Sequence, residues 1–330
     1  MRKVPLGQSG INVSRLGFGC MGLAEFYGDA VSNNEAEKIL EAALERGVNF
    51  LDTADMYGSG RNEEQLSGFL KKHREDVVLA TKFAFQRGEK GELLGMSNDP
   101  KYIKEACDNS LERLGVDVID LYYMHRRDRN VPIEDSVGAM ADLVKAGKVR
   151  ALGLSEVSAD TLRKANDVHP IAALQSEYSI VTRDMEAEMI PACRELNVAL
   201  VAYSPLGRGL LTGAFRSESD FGKGDYRMMG NPRFSDGALE KNVSLVDQLA
   251  EIAKEKGVSL AQIALAWVIA KGDDIIPIPG TKKISRLDEN IGALNVDLSA
   301  TDIVAIEKAV PPEEVAGARY PESRSSTLNA

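Results

Sequence analysis

The chain is poor in the residues that usually mark a disulfide framework, a metal site or a membrane anchor. Three cysteines, Cys20, Cys107 and Cys193, are spread over 330 residues, odd in number and outside any metal-ligand spacing. That pattern argues against a disulfide scaffold and a zinc site, and predicts reduced thiols in a cytoplasmic protein. No apolar run approaches the ~20 residues that span a bilayer. The opening MRKVPLGQSGINVS lacks the apolar core of a signal peptide, so no membrane partner is expected. Basic residues are the minority, 40 Lys and Arg against 50 Asp and Glu, for a formal charge of −10. A nucleic-acid partner, which calls for a basic face, is therefore not expected. Linkers rich in Pro, Gly or Ser are also missing, which predicts one domain over residues 1–330. The tail, 311–330, closes on the polar ESRSSTLNA, and its last ten residues are expected to be disordered. The single tryptophan, Trp267, lies in the helical pattern AQIALAWVIAKG and is expected in the core.

Glycine is present where a dinucleotide-binding turn would need it. Gly17, Gly19 and Gly22 in GFGCMG satisfy G-x-G-x-x-G. A Rossmann turn also requires a helix that starts at the third glycine, so that phosphate meets its N-terminus. Helical periodicity here begins only near Asn33. Asp52, the acid that ends the next apolar run, lies well past the ~20 residues expected of a ribose partner. The match is not read as a Rossmann fingerprint.

Alternation is the stronger signal. Short β-rich runs occur at RLGFG, VNFLDT, VVLATK, VIDLYYMH, VRALGLS, IAALQSEY, VALVAYS and DIIPIPG. Amphipathic helical patterns separate nearly every pair, from NNEAEKILEAALERG to LVDQLAEIAKEKG. Apolar strands alternating with helices predict a parallel sheet buried on both faces. Eight such units over about 300 residues fit an α/β fold of the (β/α)8 TIM-barrel type. An N-terminal β-hairpin is expected to cap it. A long loop follows the seventh strand, and residues 207–239 are too many for a passive connection.

In such barrels catalytic groups sit where strands end. Those positions hold Asp52, Lys82 and His125, with Tyr57 close behind Asp52 in DTADMYG. Each alone would pass as a solvated charge, a turn residue or a structural imidazole. Together on one rim they point to proton transfer to a carbonyl oxygen. A tyrosine with its ordinary pKa of about 10 exchanges protons poorly near pH 7. An ammonium about 4 Å away supplies about 4 kcal/mol at an effective dielectric of 20, enough to lower it by about three units. On this reading Tyr57 is the acid, Lys82 lowers its pKa, Asp52 holds Lys82, and His125 orients the carbonyl. No metal is called for, and a hydride donor is the missing part.

DTADMYG, TKF and MHR, in this order and spacing, resemble the aldo-keto reductase superfamily with its Asp-Tyr-Lys-His tetrad, and the likeness runs over roughly residues 3–310. GLSE, SPLGRGLLTG and IPGTKK are most similar to bacterial and plant members of the perakine-reductase type. The resemblance implies NADPH/NADP+ as cofactor, a small-molecule carbonyl substrate, and catalytic roles for Asp52, Tyr57, Lys82 and His125. It implies that Ser155, Glu156 and Gln175 bind the nicotinamide carboxamide and that the ring stacks on Tyr203. Ser204, Pro205, Leu206, Gly207, Arg208 and Gly209 would wrap the pyrophosphate. Gly280, Thr281, Lys282 and Arg286 would meet the 2′-phosphate, and Glu289 with Asn290 the adenine. Asp52 is also placed beside the cofactor, as are Gly19, Cys20 and Met21, with Cys20 and Met21 facing the pocket. Glu156 stands where many members have asparagine; a carboxylate there can still accept from the amide NH2 but cannot donate. Barrels often bind phosphate with their last two loops, which here carry Arg208 and Lys282. Lys282 and Arg286 together favour NADPH over NADH.

Met21, Phe26, Met56, Phe83 and Phe85, with Tyr57 and His125, are expected to line the substrate pocket, and residues 209–239 to fold over it. An apolar pocket suits aldehydes and modest ketones. Two other roles use the same residues: a redox-sensing subunit of the potassium-channel β type, and an alcohol or sugar dehydrogenase working in the oxidative direction. The oligomeric state is open at this point.

Overall fold

The first elements of the chain form a plug. In the computed structural model, which describes all residues except 89–90, 223–224, 230, 236, 323–326 and 329–330, β1 (Lys3–Pro5) pairs antiparallel with β2 (Asn12–Ser14). Alternation along this hairpin turns Val4, Leu6, Ile11 and Val13 to one side. There they pack against inward-facing barrel residues such as Phe50, Leu121, Tyr123 and Val201. The cap expected from the sequence is thus an apolar stopper under the barrel.

The barrel strands follow the predicted runs. They are β3 (Phe18–Gly19), β4 (Phe50–Asp52) and β5 (Val78–Phe83), then, after a side hairpin of β6 (Phe85–Arg87) and β7 (Leu93–Met96), β8 (Ile119–Met124), β9 (Val149–Ser155), β10 (Ile171–Glu177), β11 (Ala199–Tyr203) and β12 (Ile275–Pro277). All eight barrel strands pair in chain order in one parallel sheet. Closure comes from the Gly17 and Gly19 N–H groups, which donate to the carbonyls of Pro277 and Pro279 at 2.9 and 3.4 Å.

Helices α1 (Met21–Ala24), α2 (Asn33–Glu45), α3 (Arg61–His73), α4 (Pro100–Leu114), α5 (Ile133–Lys145), α6 (Ala159–Val168), α7 (Met189–Glu195), α8 (Ala238–Glu255), α9 (Leu260–Ala270), α10 (Ile284–Gly292) and α11 (Ala300–Ala309) complete the fold. Local chemistry fixes several starts. Ser32 with Glu35, Ser259 with Gln262 and Ser299 with Asp302 form capping boxes, and Asp99 caps α4 ahead of Pro100. Two details differ from the sequence reading. A helical turn, α1, starts directly after the glycine-rich GFG, although its four residues are too few to carry a period. DMEAEMIPACREL splits into a 3-10 turn, Asp184–Glu186, and α7, with Pro191 confined to the first turn of α7 where its missing N–H costs nothing.

Burial on both strand faces yields two apolar layers. Val78 and Ala80 of β5 point into the barrel, whereas Leu79 and Phe83 pack outward with the helices. Trp267 is fully buried in the outer layer, as expected, and donates from Nε1 to Glu307 Oε1 at 3.2 Å. The long connection after β11, residues 204–237, contains among the described residues a kinked segment, Gly207–Thr212, broken by left-handed Arg208 and Gly209, and the 3-10 turns Glu218–Asp220, Tyr226–Met228 and Pro232–Phe234. Phe215, Phe221 and Phe234 give it a core of its own, with ring centroids 4.7 and 5.7 Å apart. The disorder expected of the last ten residues concerns in part 323–326 and 329–330, which lie outside the described residues. Among the described residues, no helix is long and apolar enough to cross a membrane.

The plug depends on a tight turn at Gly7, where φ is +53° and a Cβ would meet the carbonyl oxygens of Ala172 and Asn197 at 2.3 and 2.8 Å. Gly7→Ala is therefore expected to destabilise the protein by more than about 1 kcal/mol. A lower urea midpoint with an unchanged m value checks this.

Candidate active site

At the C-terminal ends of the strands, parallel pairing brings distant residues together. β4 ends in Asp52, in register beside Ala80 of β5, and two residues further on β5 turns Lys82 inward. β8 delivers His125, whose N–H donates to Phe83 O at 2.8 Å. The loop that carries Tyr57 is anchored from behind: Thr53 Oγ1 donates to Asn62 Oδ1 at 2.7 Å, and Asn62 Nδ2 to Cys20 O at 3.0 Å.

Lys82, fully buried, donates from Nζ to Asp52 Oδ1 at 2.5 Å and to Thr53 O at 2.7 Å, and lies 3.4 Å from the Tyr57 hydroxyl. Gln175 Nε2 donates to the other Asp52 oxygen at 2.7 Å. The Tyr57 and His125 rings meet edge to face, centroids 5.8 Å apart. The tetrad expected from the sequence is thus one contiguous group.

Its electrostatics differ from the simple expectation. Burial alone would push the Lys82 ammonium down, but the Asp52 carboxylate and the Tyr57 hydroxyl outweigh it and hold it above its ordinary value. Tyr57 is raised, not lowered: desolvation exceeds the pull of Lys82, and Asp52 adds to it. The expected lowering to near neutrality counted the ammonium and left out the cost of burying a phenolate. His125 is held well below its ordinary value, first by burial and then by Lys82 and Arg126, so its imidazole is neutral at pH 7. Its Nδ1 is buried without a partner among the described residues.

Around this group stand the residues assigned to the cofactor. Arg126, the residue after His125, donates from Nη1 to Ser155 Oγ at 3.1 Å. Glu156, at φ +54°, lies buried with its Oε1 accepting from Glu177 N at 3.0 Å and from the Tyr203 hydroxyl at 2.9 Å. Beyond Tyr203 the turn is unusual, with positive φ at Ser204, Gly207, Arg208 and Gly209. Pro205 is buried beneath it. Arg208 pairs with Glu177 at 2.9 Å, and Arg233 reaches the same carboxylate at 3.3 Å. Arg319, from the C-terminal tail, pairs with Glu156 at 2.9 Å. Burial alone would raise Glu177, but Arg208, Arg233 and Arg319 outweigh it and hold it low. Among these named groups four buried or nearly buried guanidiniums, Arg126, Arg208, Arg233 and Arg319, face two carboxylates, Glu156 and Glu177. Burial lowers Arg233, and the like charges of Arg208 and Arg319 add to the lowering. Such a cluster attracts an anion.

On the far side, Gly280 abuts Gly19 so closely that a Cβ would lie 2.3 Å from the Gly19 carbonyl oxygen. Thr281 Oγ1 accepts from Lys283 N at 3.1 Å. Lys282 spans to the loop after α1, donating to the carbonyls of Tyr27 and Asp29 at 2.8 and 2.6 Å. Arg286 pairs with Glu289 one turn along α10, and Asn290 is buried below them.

The apolar wall is only partly where the sequence put it. Met21, Phe26, Met56 and Phe85 are half-buried, and the Phe85 ring lies edge-on to His125 at 5.1 Å. Phe26 meets Tyr226 of the long loop edge to face at 5.2 Å, and Tyr226 N–H donates to Phe26 O at 3.3 Å, so that loop does reach across. Phe83 is not part of the wall. With Lys82 turned inward, strand alternation sends Phe83 outward, where it is fully buried and stacks on Tyr122 at 5.0 Å. Cys20 likewise does not face the pocket. Its side chain is fully buried in the layer between strands and helices, where desolvation pushes the thiol up. Arg126, Glu177, Arg233, Arg319 and Tyr320 were not singled out from the sequence. MHR carried a signal for Arg126, and Glu177 ends β10, where a barrel places its functional groups, but Arg233 comes from the interior of a loop and Arg319 and Tyr320 from a tail without motif.

Fold and rim together define a (β/α)8-barrel protein with a buried Asp–Lys–Tyr–His group, and known proteins narrow that class. The Aldo/keto reductase family model matches residues 15–311. The chain is 44% identical over 322 residues to probable aldo-keto reductase 1 of Glycine max, covering 97% of this chain and 92% of that protein. It is also 44% identical over 321 residues to aldo-keto reductase yakc of Schizosaccharomyces pombe, whose name carries NADP(+), covering 96% of this chain and 94% of that protein. Among solved structures, glycerol dehydrogenase AKR11B4 from Gluconobacter oxydans is similar at a TM-score of 0.85 and 27% identity, over 94% of this chain and 96% of that one. Aldo-keto reductase AKR11C1 from Bacillus halodurans is similar at a TM-score of 0.79 and 30% identity, over 98% and 99%. The chain belongs to the aldo/keto reductase family and is an oxidoreductase of that family.

The state of His125 gives a pH test. Stability tied to its neutrality is fully present above the ordinary histidine value of about 6.5 and lost as pH falls toward the depressed folded value. His125→Asn is expected to flatten the stability–pH curve between about pH 6.5 and 5 by up to about 1.4 kcal/mol per unit. Urea melts of both proteins across that range check this; parallel curves would count against a buried neutral imidazole.

Proposed function

We propose that the chain reduces aldehydes and ketones to alcohols with NADPH, with Tyr57 as general acid. The observation that carries this reading is the buried contact of the Lys82 ammonium with the Tyr57 hydroxyl at 3.4 Å, backed by Asp52 at 2.5 Å. Bound NADPH supplies the hydride. Tyr57 gives its proton to the carbonyl oxygen, and its raised pKa keeps that proton in place through neutral pH. As negative charge develops on the phenol oxygen, the ammonium at 3.4 Å stabilises it by about 5 kcal/mol at an effective dielectric of 20. Neutral His125 donates a hydrogen bond to the same carbonyl oxygen, and Asp52 keeps Lys82 charged and aimed.

The residues present fit a dinucleotide phosphate. The left-handed turn of Ser204, Gly207, Arg208 and Gly209 and the surplus of guanidiniums beside it suit the pyrophosphate. Lys282 and Arg286 are assigned to the 2′-phosphate, Glu289 and Asn290 to the adenine, and Ser155, Gln175 and Tyr203 to the nicotinamide end. GLSE, SPLGRGLLTG and IPGTKK support a place beside the perakine-reductase type. A cytoplasmic site of action fits the three buried free thiols.

Tyr57→Phe is expected to lower kcat for 4-nitrobenzaldehyde reduction by about 10²–10⁴ while leaving the NADPH Kd nearly unchanged. A near-wild-type rate would remove Tyr57 from the acid role. Lys282→Ala is expected to raise the Kd of NADPH by about tenfold and that of NADH far less. Fluorescence titration of both cofactors checks this, and equal effects would sink the 2′-phosphate assignment.

A further inference from the structure

The C-terminal tail, which the sequence marks only as polar, enters the roof of the site. Asn242 of α8 clamps it by two backbone bonds, donating to Ala316 O at 2.9 Å and accepting from Ala316 N at 2.8 Å. The chain turns at Gly317, whose carbonyl accepts from Arg233 Nε at 3.4 Å. Arg319 then inserts, only 8% exposed, and grips Glu156 at both oxygens, Nη2 to Oε2 at 2.9 Å and Nη1 to Oε1 at 3.3 Å. Asp184, at the surface, lies 3.8 Å from its Nε. Tyr320 follows, its hydroxyl 3.0 Å from the Tyr203 hydroxyl, with the Arg208 guanidinium 4.6 Å above its ring.

These contacts converge on one side chain. The Tyr203 hydroxyl is held by Glu156 on one side and Tyr320 on the other. A buried carboxylate left without a cation is strongly unfavourable, and Glu156 has one within reach. Arg319 is that counter-ion. With Oε1 already accepting from Glu177 N, Tyr203 and Arg319, Glu156 serves as an anchor more than as a partner for a nicotinamide amide.

We infer that the tail segment 316–320 is a working part of the cofactor site, in which Arg319, through Glu156, and Tyr320, through the Tyr203 hydroxyl, set the ring against which the nicotinamide packs. The inference rests on the cofactor reading given above. Both are positioning residues, since they act through Tyr203. The same segment links the nicotinamide and pyrophosphate parts of that site, as Tyr320 touches Tyr203 and Arg208 together.

The test compares two ligands by fluorescence titration: NADPH, and adenosine 2′,5′-bisphosphate, which lacks the nicotinamide. Arg319→Met is expected to weaken NADPH by about tenfold and leave the bisphosphate within about twofold, with kcat falling as well. Arg319→Lys, which restores the charge without the two-pronged grip, is expected to fall between. Retained bisphosphate binding also shows that the variant is folded. If Arg319→Met does not fold, Tyr320→Phe deletes one hydroxyl and carries the same comparison, with a smaller loss confined to NADPH. Unchanged NADPH binding, or equal losses for both ligands, overturns the inference. Failure of the wild-type protein to bind either ligand overturns the cofactor reading itself, and the inference with it.

Discussion

An ammonium with no exposure to water, placed inside a β-barrel, is tolerable only if its partners are fixed, and much of this molecule serves that condition. Lys82 sits where β5 turns inward, and its three neighbours, Asp52, Thr53 and Tyr57, all come from the end of β4 and the loop behind it. Parallel pairing of β4 with β5 sets their separation, and Gln175 from β10 occupies the remaining oxygen of Asp52. The apolar plug of Val4, Leu6, Ile11 and Val13 closes the opposite end of the barrel. The charge is therefore shut off from water at the far end of the barrel.

A second cluster obeys the same rule with the opposite imbalance. In the roof, Glu156 and Glu177 are outnumbered by the guanidiniums of Arg126, Arg208, Arg233 and Arg319. The deep pair is balanced and the roof is not, so the roof is where an anion gains most by arriving. The loop after β11 and the tail contribute Arg208, Arg233 and Arg319, so elements outside the minimal barrel build that charge.

The barrel was legible because its strands are buried on both faces and announce themselves as apolar runs, with caps such as Ser32–Glu35 and Asp99–Pro100 between them. The tetrad was legible because strand ends are fixed points of a barrel. What could not be read was side-chain direction at those ends and contact from afar. Phe83 and Lys82 are adjacent in sequence, and only the strand's orientation decides which faces the site. Arg319 meets Glu156 across 163 positions, and no local period encodes such a contact. The glycine-rich GFGCMG lies beside the site through its backbone, by the close approach of Gly19 to Gly280.

The raised pKa of Tyr57 then follows from the architecture. The burial that forces Lys82 into a pair with Asp52 also penalises a phenolate, and the penalty exceeds the ammonium's pull in the ground state. A reductive acid gains from this balance, because it holds its proton until a carbonyl oxygen begins to accept it. In the reaction proposed for Tyr57, the ammonium's attraction would grow only as the phenol oxygen became negative, and would act on the transition state more than on the resting enzyme. A tyrosine lowered to neutrality, as a bare Lys–Tyr pair would suggest, would be partly ionised at rest and would place less of that attraction on the reaction.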